Sequence, residues 1–94
     1  MKMANAIVTV KIMPESPEVD LEALEAAAKK KIVLVVGEGE TKTEIEPVAF
    51  GLNAVKIIFV MDEQKGNPDL IAESIEEVTG VNSAEISDVR RAVG

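Results

Sequence analysis

The sequence contains no cysteine, histidine, tryptophan or tyrosine, and two phenylalanines supply all of its aromatic character. Without cysteine there are neither disulfides nor thiolate metal sites. Without histidine the usual general base and the commonest metal ligand are missing together. Small sheet domains that hold single-stranded nucleic acid stack its bases on aromatic rings, and this chain has almost none to offer. Cations are scarce as well: ten against seventeen carboxylates give a net charge of −7, which repels a phosphate backbone. Apolar runs such as Ile32–Val36 are far too short to cross a bilayer, and the opening Met1-Lys2-Met3-Ala4-Asn5 leads into no signal-peptide block. A cytoplasmic location is expected, and an acidic chain of this kind is suited to meeting another protein.

What is present is a core. In 94 residues, 47% are apolar and 29% charged, which fits one domain spanning residues 1–94 with a single modest interior. Asn5 to Met13 alternates, with Ala6, Val8, Val10 and Ile12 on one face, and reads as a strand. After the proline-broken Pro14–Glu18 loop, Asp20 is placed to cap a helix from Leu21, with Leu24, Ala28 and Ile32 at helical spacing. Lys29, Lys30 and Lys31 are expected near its end, complementing the helix dipole, with Ile32–Val36 running from the helix terminus into a loop. Thr41 to Val48 reads as a polar edge strand closed by Pro47, and Asn53 to Met61 as a central one with Val55, Ile57, Phe59 and Met61 on one face. A charged loop, Asp62–Gly66, precedes a second helix capped by Asn67 with Pro68 at its first position, and Gly80 is expected at its C-terminal cap. Val81 to Arg91 is a last strand in which Val89 falls out of phase, which predicts that the final residues turn or bulge. The order strand, helix, strand, strand, helix, strand predicts an α+β, ferredoxin-like split βαβ sandwich: a four-stranded antiparallel sheet with two helices on one face.

That fold decides no function, so the residues must. A metallochaperone needs a Cys-x-x-Cys pair after the first strand, where Met13-Pro14-Glu15-Ser16 stands. An acylphosphatase-like site needs an anion cradle there, and the prolines and carboxylates of this loop repel phosphate. The acidic groups Glu15, Glu18, Asp20 and Glu22, and Asp62, Glu63 and Asp69, lack the spacing of a calcium loop and read as solvated surface. No catalytic nucleophile stands next to a base. Phe50 lies between Pro47 and Gly51, where two strands meet, and is either a core plug at a strand end, the commoner fate of a lone aromatic, or an exposed knob for a partner.

Three segments carry a family resemblance. Met13-Pro14-Glu15-Ser16-Pro17 ahead of Asp20-Leu21-Glu22, the stretch Glu46-Pro47-Val48-Ala49-Phe50-Gly51-Leu52, and the ending Ile86-Ser87-Asp88-Val89-Arg90-Arg91 resemble the archaeal elongation factor 1-beta family. They are similar also to the C-terminal exchange domain of the eukaryotic factor. The resemblance runs from about Ala4 to Arg91 and implies a guanine-nucleotide exchange factor: it promotes GDP release and GTP rebinding on elongation factor 1-alpha, the GTPase that delivers aminoacyl-tRNA to the ribosome. It implies a protein that is not an enzyme and needs no cofactor, with nucleotide and Mg²⁺ bound on the partner, no direct contact with nucleic acid or membrane, and a monomer when free. It implies that Phe50, in the Ala49-Phe50-Gly51 turn, inserts into the GTPase near its nucleotide, which favours the exposed knob. A lysine near the end of the eukaryotic domain reaches toward the magnesium site; counted from Ile86 its counterpart is Arg91, with Arg90 as the alternative. The relatives carry a more polar, proline-containing connection where this chain has Ile32–Val36 and Gly37-Glu38-Gly39. Two other classes remain open: a small-molecule-binding regulatory domain that dimerises through its sheet, and a purely structural subunit.

Overall fold

The computed structural model describes residues 5–37, 39–62 and 67–91, with Arg91 described for its backbone alone. Glu38 of the expected turn, and Glu63–Gly66 of the expected charged loop, lie outside the described residues. Strand β1 (Asn5–Pro14) is followed by helix α1 (Leu21–Val36), strands β2 (Thr41–Pro47) and β3 (Asn53–Asp62), helix α2 (Pro68–Glu76) and strand β4 (Val81–Arg91). The strands form one antiparallel sheet in the order β2-β3-β1-β4. This is the ferredoxin-like α+β arrangement that the element order predicts.

Alternation in β1 and β3 determines which face the helices cover. Val8, Val10 and Ile12 register with Phe59, Ile57 and Val55, and all six are buried beneath Leu24, Ala28 and Ile32 of α1 and Ile71 and Ile75 of α2. Each side chain of this kind contributes about 1.5–3 kcal/mol when taken out of water. The opposite face stays open: Ile7, Thr9 and Lys11 register there with Val60, Ile58 and Lys56. Strand β2, polar and closed by Pro47, lies at an edge as expected, and the hydroxyl of Thr43 donates to the Glu25 carboxylate of α1 at 2.6 Å.

The helix starts agree with the sequence. One Asp20 oxygen accepts the N–H groups of Glu22 and Ala23, at 3.0 and 3.4 Å, and Asn67 accepts that of Asp69 at 2.9 Å. The helix ends do not. Ile32–Val36, expected to leave α1 for a loop, is helical to its last residue because Ile32 is fully buried and Val35 and Val36 pack against the core. Gly37, at φ 83°, closes the helix by donating to the Val33 carbonyl at 2.9 Å. The lysine triplet consequently sits inside the helix and not in its last turn, where no basic residue stands.

Gly80 is likewise not the cap of α2, which stops at Glu76. Glu77 and Val78 donate to the carbonyls of Ser74 and Ile75, three residues back, so the chain tightens before it leaves the helix. Gly80 instead carries the turn into β4, at φ 95°, with its absent Cβ facing Val19 at 3.3 Å. In β4 the register shifts between Thr9, opposite Asp88, and Val10, opposite Ile86, leaving Ser87 as the extra residue of a bulge. Of the turn or bulge expected from the phase of Val89, the bulge is the one present, and the strand continues past it to Arg91.

Candidate functional site

Where β2 turns into β3, the chain builds a tight platform. Pro47 registers with Asn53 as the last pair of the ladder. The Val48 N–H donates to the Leu52 carbonyl at 2.8 Å, and the Leu52 N–H returns to the Ala49 carbonyl at 3.2 Å. Between those bonds Ala49–Gly51 forms a single 3-10 turn, with Phe50 at φ 61°, ψ 32° and Gly51 at φ 75°. Two consecutive left-handed residues reverse the chain in the space available, and only the second of them is a glycine. A left-handed conformation costs an L-residue roughly 1–2 kcal/mol.

Phe50 spends that cost on display. The residue is 92% exposed, and none of the three residues of the turn is buried. The core-plug reading is thus excluded, and the plug is Phe59, at 1% exposure. Beneath the turn, Pro17 of the β1–α1 loop comes within 4.0 Å of the position a Gly51 Cβ would take. That loop is tied in turn to the start of β4, the Glu15 N–H donating to the Gly80 carbonyl at 2.9 Å. A strained, solvated ring on a braced turn is unfavourable for the isolated chain on both counts, and such outliers collect at sites that meet a ligand or partner.

The two arginines are at the other end of the sheet. β1 runs from Asn5 to Pro14, and β4 runs against it, so Val81 lies beside the Phe50 end while Arg90 and Arg91 register with Ile7 and Ala6. Ten strand residues separate the ends, a span of about 30 Å. The resemblance draws both groups toward one nucleotide; the structure does not bring them together. The bulge at Ser87 shifts the residues after it by one position, so Arg90 falls on the open face of the sheet. Its side chain is 78% exposed and donates through Nε to Asp88 at 2.9 Å. The Arg91 side chain lies outside the described residues.

Comparison with known proteins decides the family. The family model described as the EF-1 guanine nucleotide exchange domain matches residues 7–92. The elongation factor 1-beta of Methanothermobacter thermautotrophicus is 42% identical over 91 residues, covering 95% of this chain and 98% of that protein. That of Thermococcus gammatolerans is 43% identical over 88 residues, covering 93% and 94%. The chain belongs to the EF-1 guanine nucleotide exchange domain family. Its function is guanine-nucleotide exchange on elongation factor 1-alpha. Among solved structures, the chain described as BlrP1 BLUF matches with a TM-score of 0.52 at 14% identity, over the whole of this chain and 58% of that one. That likeness concerns the fold alone.

Two features of the exchange domain escaped sequence reasoning. One is the packing of Pro17 under Gly51, which joins two distant loops into one surface and leaves no local signal. The other is a charge bridge behind the turn: Glu46 on β2 holds Lys56 of β3 at 3.2 Å and Lys11 of β1 at 3.4 Å. Lys11 and Lys56 are direct cross-strand partners whose like charges would repel, and Glu46 lies between them. Hydrogen bonds from Lys56 and then Lys11 hold its carboxyl below the ordinary glutamate range. Alternation alone assigns these residues to the outward face without revealing that they converge. No cluster of ligands able to hold a metal occurs among the described residues, Asp20 is engaged as a helix cap, and Glu63 of the second acidic group lies outside the described residues. No helix among the described residues is long and apolar enough to cross a membrane.

Proposed function

We propose that the whole chain, residues 1–94, acts as one exchange domain that touches elongation factor 1-alpha at two separated places. The Ala49-Phe50-Gly51 turn inserts its ring into an apolar pocket of the GTPase. About 30 Å away, Arg90 and Arg91 approach the Mg²⁺ and phosphate region. The observation that carries this reading is Phe50 itself, an aromatic held exposed and left-handed on a braced turn. GDP and Mg²⁺ hold the switch segments of the GTPase, so a partner lowers nucleotide affinity only by binding better to the arrangement in which those contacts are broken. Burying the Phe50 ring supplies about 2–3 kcal/mol toward that arrangement. A cation beside the metal site competes with Mg²⁺ and favours its loss.

Asp88 draws on the charge of Arg90, which supports Arg91, the residue that matches by position, as the competing cation. Arginine is a broader, forked cation than lysine, so the metal is met here by a planar guanidinium and not by a point charge. On this reading the chain makes and breaks no covalent bond and needs no cofactor of its own. It works in the cytoplasm, one copy per GTPase, and its charge of −7 keeps it away from the aminoacyl-tRNA that the GTPase carries.

The test is release of fluorescent GDP from elongation factor 1-alpha in a stopped-flow instrument over a range of Mg²⁺ concentrations. The parent accelerates release; Arg91→Ala slows it most when Mg²⁺ is high, and Arg91→Lys retains it. Absence of acceleration by the parent refutes the function. A loss in Arg91→Ala that is the same at every Mg²⁺ concentration refutes the role given to the cation.

A further inference from the structure

Phe50, at φ 61°, holds a conformation disfavoured about 5- to 30-fold for an L-residue, and a residue so exposed gains little packing to offset this. Two hydrogen bonds close the turn, from Val48 to Leu52 and from Leu52 to Ala49, but both lie inside residues 48–52. Strained residues persist where their surroundings leave them no alternative. Here the surroundings come from a distant part of the chain.

Residues 15–19, between β1 and α1, are fixed at both ends. Pro14 is buried and still paired with Val81 where the loop begins, and Asp20 caps α1 where it ends. Within the loop the Ser16 carbonyl accepts the Val19 N–H at 3.3 Å, and the Ser16 hydroxyl accepts the Glu18 N–H at 3.3 Å. Pro17 is thereby the second residue of a β-turn, a position that its fixed φ suits. The Glu15 N–H is held by the Gly80 carbonyl, and Val19 packs against the core in the space that Gly80 leaves by having no Cβ. The result is a proline ring presented to the underside of the Phe50 turn, its Cγ 4.0 Å from where a Gly51 Cβ would stand. Proline has no side-chain rotamers to lose, so its ring acts as a stop without an ordering penalty.

We propose that Pro17 is a positioning residue for exchange: it closes the space into which Gly51 would move, and so keeps Phe50 left-handed and outward before the partner arrives. The proposal rests on the role given above to the Phe50 ring. Pro17 acts through the turn and not by touching the GTPase. Its loss lowers the fraction of chains whose turn is ready to bind, and the apparent dissociation constant rises in inverse proportion to that fraction, while the complex once formed is the same.

The test is Pro17→Ala, which removes Cγ and Cδ and keeps the residue in its turn. Pro17 is exposed, so the variant folds, and urea unfolding checks that it has. Release of fluorescent GDP from elongation factor 1-alpha is followed with rising concentrations of the full chain. The expected result is a half-saturating concentration raised about 3- to 30-fold beside an unchanged maximal rate. In a Phe50→Ala background, Pro17→Ala changes nothing further. In the free chain, amide hydrogen exchange at Val48 and Leu52 quickens by about threefold or more in Pro17→Ala, while the amides of β1 keep their protection. An unchanged half-saturating concentration overturns the proposal. So does an equal loss in the Phe50→Ala background, which makes Pro17 a direct contact. If Phe50→Ala itself exchanges nucleotide at the parental rate, the reading of the ring fails and the free-chain amides decide alone: faster exchange upholds the grip of Pro17 on the turn, and unchanged exchange overturns it.

Discussion

Replacing Phe50 with alanine or glycine separates what the ring does for the chain from what it does for the partner. The ring is 92% exposed, so removing it forfeits almost no burial in the free protein, and the expected change in unfolding free energy for Phe50→Ala is within about 0.5 kcal/mol. Phe50→Gly goes further. It relieves the left-handed backbone, about 1–2 kcal/mol, and loses about 0.4–1 kcal/mol in unfolded-state entropy, so the variant gains between about 0 and 1.6 kcal/mol. In the complex the same ring goes from water to an apolar pocket, about 2–3 kcal/mol, which at 1.4 kcal/mol per decade is roughly 30- to 140-fold. Urea unfolding measures the first effect, and the second-order rate constant for GDP release from elongation factor 1-alpha measures the second. The expected pair of results is a stability unchanged or raised beside an exchange rate lowered some 30-fold or more. A Phe50→Ala variant destabilised by several kcal/mol would restore the core-plug reading. One that folds normally and exchanges at the parental rate removes Phe50 from the interface.

The braced turn and the charge bridge behind it make further claims. Gly51→Ala meets Pro17 only at an ordinary contact distance of 4.0 Å, so its cost comes from φ 75° and is about 1 kcal/mol, read by urea unfolding, with exchange falling further because the ring is re-aimed. Gly80→Ala combines φ 95° with a contact of 3.3 Å to Val19 and is expected to cost more than Gly51→Ala in the same assay. Asp20→Ala removes the cap of α1 and lowers stability by about 1 kcal/mol, with the rate of GDP release unchanged. Glu46 and Glu25 both have carboxyls held low in the folded chain, Glu46 by Lys56 and then Lys11, Glu25 by Lys29 and then Thr43. Their stabilisation is therefore complete above the unfolded glutamate value of about 4.3 and is lost as pH falls through the folded values. Glu46→Gln should flatten the acid limb of stability against pH below that point, and a limb identical to the parent's would show that the bridge contributes nothing.

Legibility tracked the range of the interactions. Alternation in β1 and β3 and the caps at Asp20 and Asn67 are local, and each is where periodicity and side-chain chemistry place it. An irregularity in β4, a turn or a bulge, is visible because Val89 breaks the phase set by Ala84 and Ile86, and pairing with β1 makes it a bulge. The two helix ends were missed for one reason: Gly37 and Gly80 both carry positive φ, but only tertiary packing determines which glycine closes a helix and which merely turns the chain. Ile32 is drawn into the core and keeps α1 helical through a β-branched run, so burial there outweighs intrinsic propensity. At the candidate site, Pro47 and Gly51 announce a turn, yet whether Phe50 points in or out depends on Pro17 and on the Val48–Leu52 pair, which pattern does not reach. The separation of Phe50 from the arginines was equally hidden, since the register of β4 against β1 is what sends them to opposite ends.

That separation bears on how an exchange domain of this shape can work. A single anchor of about 2–3 kcal/mol, the worth of one buried phenylalanine, tightens binding but does not by itself choose between the nucleotide-bound and nucleotide-free arrangements of a partner. Two anchors on a rigid body choose between them, because both can be satisfied only in the arrangement that holds their two receptors the right distance apart. β1 and β3, hydrogen-bonded along their length and filled from one side by a continuous core, supply that rigidity. Glu46 adds to it near the Phe50 end by tying the edge strand β2 to both central strands. On the two-contact reading proposed above, the long sheet is more than a support for a hydrophobic finger: its length would set the distance at which the ring and the arginines act, and a GTPase that rearranges to meet both would release its nucleotide in doing so.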